Sequence, residues 1–335
     1  MSNMSIEPVA HKRFGATVRN VRLTELREFE FKKINAALLE YGFLIFPDQH
    51  LSNDQSRDFG QWFGELEFGG LPLSNQVRRK DGSYTDVVDF NSRLMRTNVG
   101  NETWHTDSTY MPISSKCALL SAVVLPAEGG ETELADMRAA YTALDLATRE
   151  QIKDLAAYHS TQFSQANDLG DFPETEAGTI YHGEAYLRPL VKIHPETGIP
   201  SLFIGRHAFG IPGLTRDESR NLLHDLLAFA VGDPERVYTH HWTVGDTLLW
   251  DNRALLHRAR PYDYSLPRRL IGTRVKGENS ELAYFPDDPA AAAGREALKA
   301  ELRALALEQA DKTYSQLDQP AESIRQWKGL RRADP

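Results

Sequence analysis

The sequence predicts a mainly β fold, a sandwich of short strands with helices on its outside, and three observations carry that prediction. The apolar runs at 43–46, 117–125 and 247–250 have the length of strands and not of buried helices. Turn signals such as His194-Pro195-Glu196-Thr197-Gly198 and Gly245-Asp246 separate neighbouring runs, as they do in hairpins. The helical patterns are inserted among many short strands, with no Gly-rich strand-to-helix turn for phosphate and no internal repeat. At 335 residues the chain is long enough to bury a sizeable core. No linker-like composition divides it. The expectation is one domain over 1–335, with a core at about 14–276 and a C-terminal helix and polar tail over 287–335.

Residues 1–13 read as a loose leader, and the alternation of Phe14, Ala16 and Val18 predicts a short strand after it. Phe31, Ile34, Ala37, Leu38 and Tyr41 recur at helical spacing, so a helix is predicted over 29–41. Gly42 ends it, because glycine takes the left-handed cap conformation without steric cost. Residues 43–46 form a buried strand. Ser52 followed by Gln55 predicts a capping box, opening a helix that carries Phe59, Trp62 and Phe63. Residues 69–84, rich in Gly, Pro, Ser, Asn and charge, read as a long loop of the kind that covers a binding site, with Ser74, Asn75 and Arg79 as lid candidates. A short strand is expected over 85–88 and a long apolar one over 117–125.

Glu128-Gly129-Gly130-Glu131 is a turn, residues 132–134 begin a strand, and a helix follows over 136–144. Thr148 with Gln151 predicts a second capping box, whereas 160–183 shows no period. Strands over 190–193 and 201–204 form a hairpin, and Thr215 with Glu218 caps an amphipathic helix through Leu222, Leu223, Leu226, Leu227 and Phe229. Strands over 237–244 and 247–250 are predicted to pair as a second hairpin around Gly245-Asp246. A strand over 269–275 and an Ala/Leu/Glu-rich helix over 290–309 complete the chain before its polar tail.

A net charge of −9 argues against nucleic acid or an anionic membrane as the main partner. The single cysteine, Cys117, allows no intrachain disulfide and fits a reducing compartment. The first residues lack the apolar run of a signal peptide, and the longest apolar stretch, around 118–125, is too short to span a bilayer. The expectation is a soluble cytoplasmic protein with a small-molecule partner.

The candidate chemistry centres on Trp104-His105-Thr106-Asp107. Alternate residues of a strand share a face, so His105 and Asp107 are expected to point into one cavity. A bare His-x-Asp is weak, since most such pairs lie at the surface or are hydrogen-bonded. Trp104 beside it suggests a dry wall, and polar groups set among apolar strands need partners. His257 follows a strand that ends at Trp250 and a turn through Asp251-Asn252-Arg253. Two imidazoles and one carboxylate capping one face of a metal are the ligand set of non-heme iron(II) oxygenases. Arg268 and Arg274 lie an even number of residues apart on one predicted strand and so share its face. An inward arginine is costly unless an anion pairs with it, and arginine grips carboxylates in a two-pronged fork. Arg269 reads as facing solvent, and Trp104 and Trp250 read as core.

These residues sit in segments that resemble a known family. The segments are Gly100-Asn101-Glu102-Thr103-Trp104-His105-Thr106-Asp107-Ser108, Gly129-Gly130-Glu131-Thr132-Glu133, Asp136-Met137-Arg138-Ala139-Ala140-Tyr141, Ser201-Leu202-Phe203-Ile204-Gly205-Arg206-His207-Ala208, and Trp250-Asp251-Asn252-Arg253 through His257. Over about residues 14–276 the chain resembles the Fe(II)/2-oxoglutarate-dependent dioxygenases of the taurine and 2,4-dichlorophenoxyacetate family, closest to the second branch. The resemblance implies a double-stranded β-helix (jelly roll, clavaminate synthase-like). It implies His105, Asp107 and His257 as iron ligands, and Thr132 and Arg268 as the residues holding 2-oxoglutarate. It further implies hydroxylation of a small carboxylate-bearing, aromatic substrate by O2, with release of succinate and CO2, in a homo-oligomer. Hydroxylation beside the ether oxygen of an aryloxyacetate would give a hemiacetal that collapses to a phenol and glyoxylate. Because Asp107 keeps a carboxylate on the metal, hydroxylation is favoured over halogenation.

The family often carries a second arginine four residues after the first. Here that position is Gly272, with Arg274 two residues further on. Asn101, His207 and Arg274 are the candidate substrate contacts. The alternatives are the same chemistry on a sulfonate, an amino-acid derivative or a secondary metabolite, and a non-catalytic ligand-binding β-barrel. A zinc hydrolase would need a general base that the sequence does not place beside the triad.

Overall fold

The computed structural model describes residues 3–10, 12–71, 73–285 and 287–311. The predicted polar tail after the C-terminal helix lies outside the described residues.

Two sheets face one another. The major sheet has seven strands in the order Ser5–Pro8, Ala16–Arg19, Phe43–Phe46, Thr247–Asp251, Ser115–Val124, Arg269–Lys276 and Leu73–Ser74. The minor sheet sets Thr132–Asp136 between Val237–His240 and Leu255–Ala259. Period-two alternation explains how both faces of the inner strands are used. Phe43 and Ile45, with Ala118, Leu248 and Trp250, meet Leu134 and Leu255 of the minor sheet in one cluster. Leu44, Phe46, Leu119 and Leu249 face the other way, onto Ile34, Ala37 and Leu38 of the helix Glu28–Tyr41. Strands covered on both faces read as continuous apolar runs. The outer face of the minor sheet is covered in the same way: Ala135 and Leu256 pack with Leu226 and Ala230 of the helix Arg216–Val231. The predicted β sandwich with outer helices is therefore what forms.

Several local expectations are corrected. The predicted leader contains the strand Ser5–Pro8, which pairs antiparallel with Ala16–Arg19 at the sheet edge. The hairpin expected around Gly245-Asp246 does not exist. Val237–His240 pairs with Thr132–Asp136, and Thr247–Asp251 pairs with Phe43–Phe46 and Ser115–Val124, so that turn carries the chain from one sheet to the other. Turn chemistry sets the reversal, but the apolar faces of the flanking strands choose their partners. The helix Leu146–Ile152 starts before the predicted box, because the Asp145 carboxylate accepts from the Thr148 N–H at 2.8 Å. The aperiodic stretch after 160 holds the helix Thr161–Leu169, capped by Ser160 and closed by Gly170.

The long loop is partly ordered into the hairpin Val77–Arg78 with Tyr84–Thr85, and the predicted strand over 85–88 is confined to its end. The helix Arg93–Gly100, capped by Ser92, follows. The C-terminal helix Pro289–Asp311 packs Leu298 and Leu305 against Phe163 and Ala166. Among the described residues no helix is long and apolar enough to cross a membrane.

Candidate active site

The sandwich opens on a cavity of about 600 Å³ whose wall includes His105, Asp107 and His257. Leu255 and His257 share the inner face of their strand. His105 makes a single antiparallel bridge to that strand: its N–H donates to His257 O at 3.0 Å, and the His257 N–H returns to His105 O at 2.9 Å. The strand expected through Asp107 stops there. The chain turns over 107–110, with Ser108 in the left-handed region at φ 57°, and Asp107 at the head of this turn lies next to the two imidazoles. The three residues are buried, and their ligand atoms lie within 4.8 Å of one another.

The protonation states suit a metal. His105 Nδ1 lies 2.8 Å from Thr103 O and must carry the hydrogen, so Nε2 presents its lone pair. Burial drives the His105 pKa well below its ordinary value and that of His257 down to about 4, leaving both neutral at neutral pH. Burial alone would raise the Asp107 pKa. The Arg274 charge and the two imidazoles outweigh it and hold the group below the ordinary carboxylate value. Arg274 Nη2 lies 2.6 Å from Asp107 Oδ1, and Asn252 Nδ2 donates to Oδ2 at 3.3 Å. Two neutral imidazoles and one fixed carboxylate fit a divalent iron.

Thr132 and Arg268 line the same cavity. Thr132 shares the inner strand face with Leu134. Its Oγ1 accepts from Trp242 Nε1 at 3.1 Å; an indole nitrogen only donates, so the threonine hydroxyl proton is left for a ligand. Arg268 is buried, and burial lowers its pKa. Its Nη2 donates to Gly130 O at 2.7 Å, and its guanidinium lies 5.3 Å over the Tyr262 ring. Among the described residues no carboxylate lies within ion-pair distance of it, and its Nε has no partner. Gly130 makes this packing possible: at φ 75°, a Cβ there would sit 2.7 Å from Arg268 Nε.

Arg268, Leu270, Gly272 and Arg274 all reach the cavity, as the even spacing predicted. Both irregularities in this ladder fall on the partner strand, where Val123 is skipped between Ala122 and Val124 and Lys116 between Ser115 and Cys117, so the alternation survives. Arg269 faces away and lies 3.6 Å from Asp86. At Gly272 the space is taken by the loop: Leu73–Ser74 pairs with Ile271 and Gly272, and a Cβ on Gly272 would be 3.1 Å from Leu73 O. Arg274 Nη1 donates to the Tyr110 hydroxyl at 3.3 Å, and the charges of Asp107, Tyr110 and Glu67 raise its pKa against the effect of burial.

Asn101 and His207 line the cavity too. Ser164 Oγ gives its proton to Thr161 O at 2.9 Å, so it accepts from His207 Nδ1, also at 2.9 Å. Burial, then Arg206 and His105, keep that imidazole neutral. Ser74 and Asn75 of the loop line the cavity and Arg79 does not, while Leu71, Leu73, Leu94, Ile180 and Tyr181 add an apolar wall.

Four polar residues of the site escaped sequence reasoning. Tyr110 stands three residues after Asp107, and Arg206 stands beside His207, held by Asp168 at 2.8 Å. Asn252 lay inside a quoted segment without a role. Glu67 gave no signal at all, since it becomes visible only through the hydrogen bond it accepts from Ser108 Oγ at 2.6 Å.

A family model described as "Taurine catabolism dioxygenase TauD, TfdA family" matches residues 5–274. The (S)-phenoxypropionate/alpha-ketoglutarate-dioxygenase of Sphingobium herbicidovorans is 46% identical over 270 residues, covering 79% of this chain and 92% of that protein. The alpha-ketoglutarate-dependent 2,4-dichlorophenoxyacetate dioxygenase of Cupriavidus pinatubonensis is 37% identical over 273 residues, covering 78% and 93%. Among solved structures, AAD-2 in complex with Mn(II) and N-oxalylglycine matches with a TM-score of 0.76 at 35% identity, over 84% of this chain and 99% of that one.

Proposed function

Because the chain belongs to the TauD/TfdA dioxygenase family, we propose that His105, Asp107 and His257 hold its iron(II), that Thr132 and Arg268 hold 2-oxoglutarate, and that its substrate is an aryloxyalkanoate. The enzyme is an iron(II)- and 2-oxoglutarate-dependent dioxygenase on a double-stranded β-helix. The observation that carries the assignment of residues is Arg268. Among the described residues this buried guanidinium has no carboxylate within ion-pair distance, and it lines the same cavity as a threonine whose hydroxyl proton is unspent; the two suit an anionic group in the cavity that holds the triad.

Iron(II), when bound, activates O2 and couples its reduction to decarboxylation of 2-oxoglutarate and hydroxylation of a substrate C–H bond. The chain supplies the placement. Arg268 and Thr132 orient the far carboxylate of 2-oxoglutarate and so fix the direction of its keto acid end. Arg274, already fixed by Asp107 and Tyr110, offers its remaining N–H groups to the substrate carboxylate. Leu73, Leu94, Ile180 and Tyr181 take the aromatic ring and exclude water. Hydroxylation at the carbon beside the ether oxygen gives a hemiacetal, which collapses to a phenol and an α-keto acid, or to glyoxylate from an aryloxyacetate.

The relatives support this choice, being named for phenoxypropionate and 2,4-dichlorophenoxyacetate. A panel of 2-phenoxypropionate, phenoxyacetate and taurine, read by succinate and phenol release, tests it. Phenol formed in step with succinate supports the reading, and succinate driven by taurine alone contradicts it. One domain over 1–335, a cytoplasmic location and a homo-oligomer belong to the same reading. The lone buried Cys117 fits a reducing compartment, and sedimentation of the full chain determines the assembly.

A further inference from the structure

The geometry points to Asn252 as a positioning residue of the metal centre: its side-chain amide, locked in one orientation by Trp250, holds the Asp107 carboxylate in the pose that faces the metal. This inference rests on the reading of His105, Asp107 and His257 as metal ligands.

Asn252 is 1% exposed and follows the strand Thr247–Asp251. Its backbone N–H donates to Lys116 O at 3.1 Å, which ties it to the neighbouring strand. An asparagine amide can in principle sit either way round. Here two donors decide. Trp250 Nε1 gives its hydrogen to Asn252 Oδ1 at 2.9 Å, and the backbone N–H of Asp107 approaches the same oxygen at 3.4 Å. Neither group can accept, so the oxygen must face them and the NH2 must face the carboxylate, where Nδ2 lies 3.3 Å from Asp107 Oδ2. The reverse orientation would set an amide oxygen against a carboxylate oxygen.

The two oxygens of Asp107 thus have separate anchors. Oδ1 is held by Arg274, and Oδ2, the oxygen 3.5 Å from His257 Nε2, is held by Asn252. Trp250 reaches the second ligand as well, with its ring 4.6 Å from that of His257. The turn that carries Asn252 is itself pinned. Asp251 accepts from Arg253 at 2.9 and 2.7 Å and contacts His194 at 3.0 Å, all three being buried. Trp250 and Asn252 therefore set the relative pose of two ligands that lie 150 positions apart in the sequence.

Mn(II) binding to the metal-free full-length protein, followed by the EPR signal of the free ion, tests this. Wild type, Asn252→Ala and Trp250→Phe are compared, with His257→Ala as the variant lacking a ligand and Tm measured for each. Asn252→Ala should bind Mn(II) about 10- to 100-fold more weakly, the range that partners of metal ligands contribute. Trp250→Phe should lose less, because the donor remains and only its lock is gone. An Asn252→Ala protein that folds, whether at wild-type or lowered Tm, and binds Mn(II) as wild type does would overturn the proposal. If that variant does not fold, wild-type affinity in Trp250→Phe overturns it instead. A wild-type protein that binds no more Mn(II) than His257→Ala would bring down the metal reading itself, and the proposal with it.

Discussion

Arg268 and Glu67 are both buried ionisable groups, and they differ in what compensates them. Burial lowers the Arg268 pKa, and Tyr262, Tyr264, Glu131 and Glu102 oppose it, but its close contacts are a carbonyl and an aromatic face; in the proposed reading the ligand carboxylate supplies the close counter-ion. Arg268→Ala should therefore weaken 2-oxoglutarate binding by about 2–5 kcal/mol, the cost of truncating one side of a buried hydrogen-bonded ion pair. An anaerobic titration checks it, and unchanged affinity would remove Arg268 from the site.

Glu67 is the opposite case, a carboxyl that burial pushes up to about 7 despite the charge of Arg274 and the Ser108 hydrogen bond. Its folded pKa is raised, so the sign runs against the usual carboxylate. Below about pH 4 both folded and unfolded forms are protonated and nothing is lost. Between about 4.5 and 7 the unfolded chain ionises while the folded one stays protonated, so stability falls as pH rises, and above 7 the whole cost is present. Glu67→Gln should make the metal-free protein more stable at pH 8 by on the order of 2–3 kcal/mol, and by less at pH 5.5. Urea unfolding at the two pH values reads this; an equal effect at both would show that ionisation of Glu67 is not its source.

At the scale of elements, Gly272 and the edge strand Leu73–Ser74 form one unit. The loop is part of the cavity wall because the sheet offers it a residue without a side chain. Gly272→Ala puts a Cβ 3.1 Å from Leu73 O and 3.2 Å from Leu73 Cβ, which pushes the edge strand outward. The expected outcome is a several-fold rise in KM for the aryloxyalkanoate with little change for 2-oxoglutarate, whose proposed anchors lie elsewhere. Steady-state kinetics in each substrate separate the two, and a matched rise in both would contradict it. The same unit shows why the sequence could be read only in part here. Gly, Pro and Ser marked a loop correctly, but its two-residue pairing depends on a strand almost two hundred positions away. The misread hairpin at Gly245-Asp246 has the same cause, since a turn is written locally and a sheet partner is not.

For the whole molecule, what was legible followed from periodicity and from side chains that cannot be buried cheaply. Alternation exposed the inner faces, and an even spacing placed Arg268 and Arg274 on one of them. His105, Asp107 and His257 were weak signals taken singly, and it was the family resemblance of the segments around them that singled them out as the proposed iron ligands. Asn252 and Glu67 were illegible because each acts through a hydrogen bond to a residue remote in sequence, Asn252 to Asp107 and Glu67 to Ser108. The central claim joins the remote parts: the triad, Thr132 and Arg268 form one centre for iron(II) and 2-oxoglutarate. Adding both to the metal-free protein without oxygen tests it most directly. Wild type should develop the weak visible charge-transfer band of 2-oxoglutarate on iron(II), His257→Ala should not, and Arg268→Ala should need a large excess of the keto acid. No band in wild type, or the same band at the same concentrations in His257→Ala, would contradict the account.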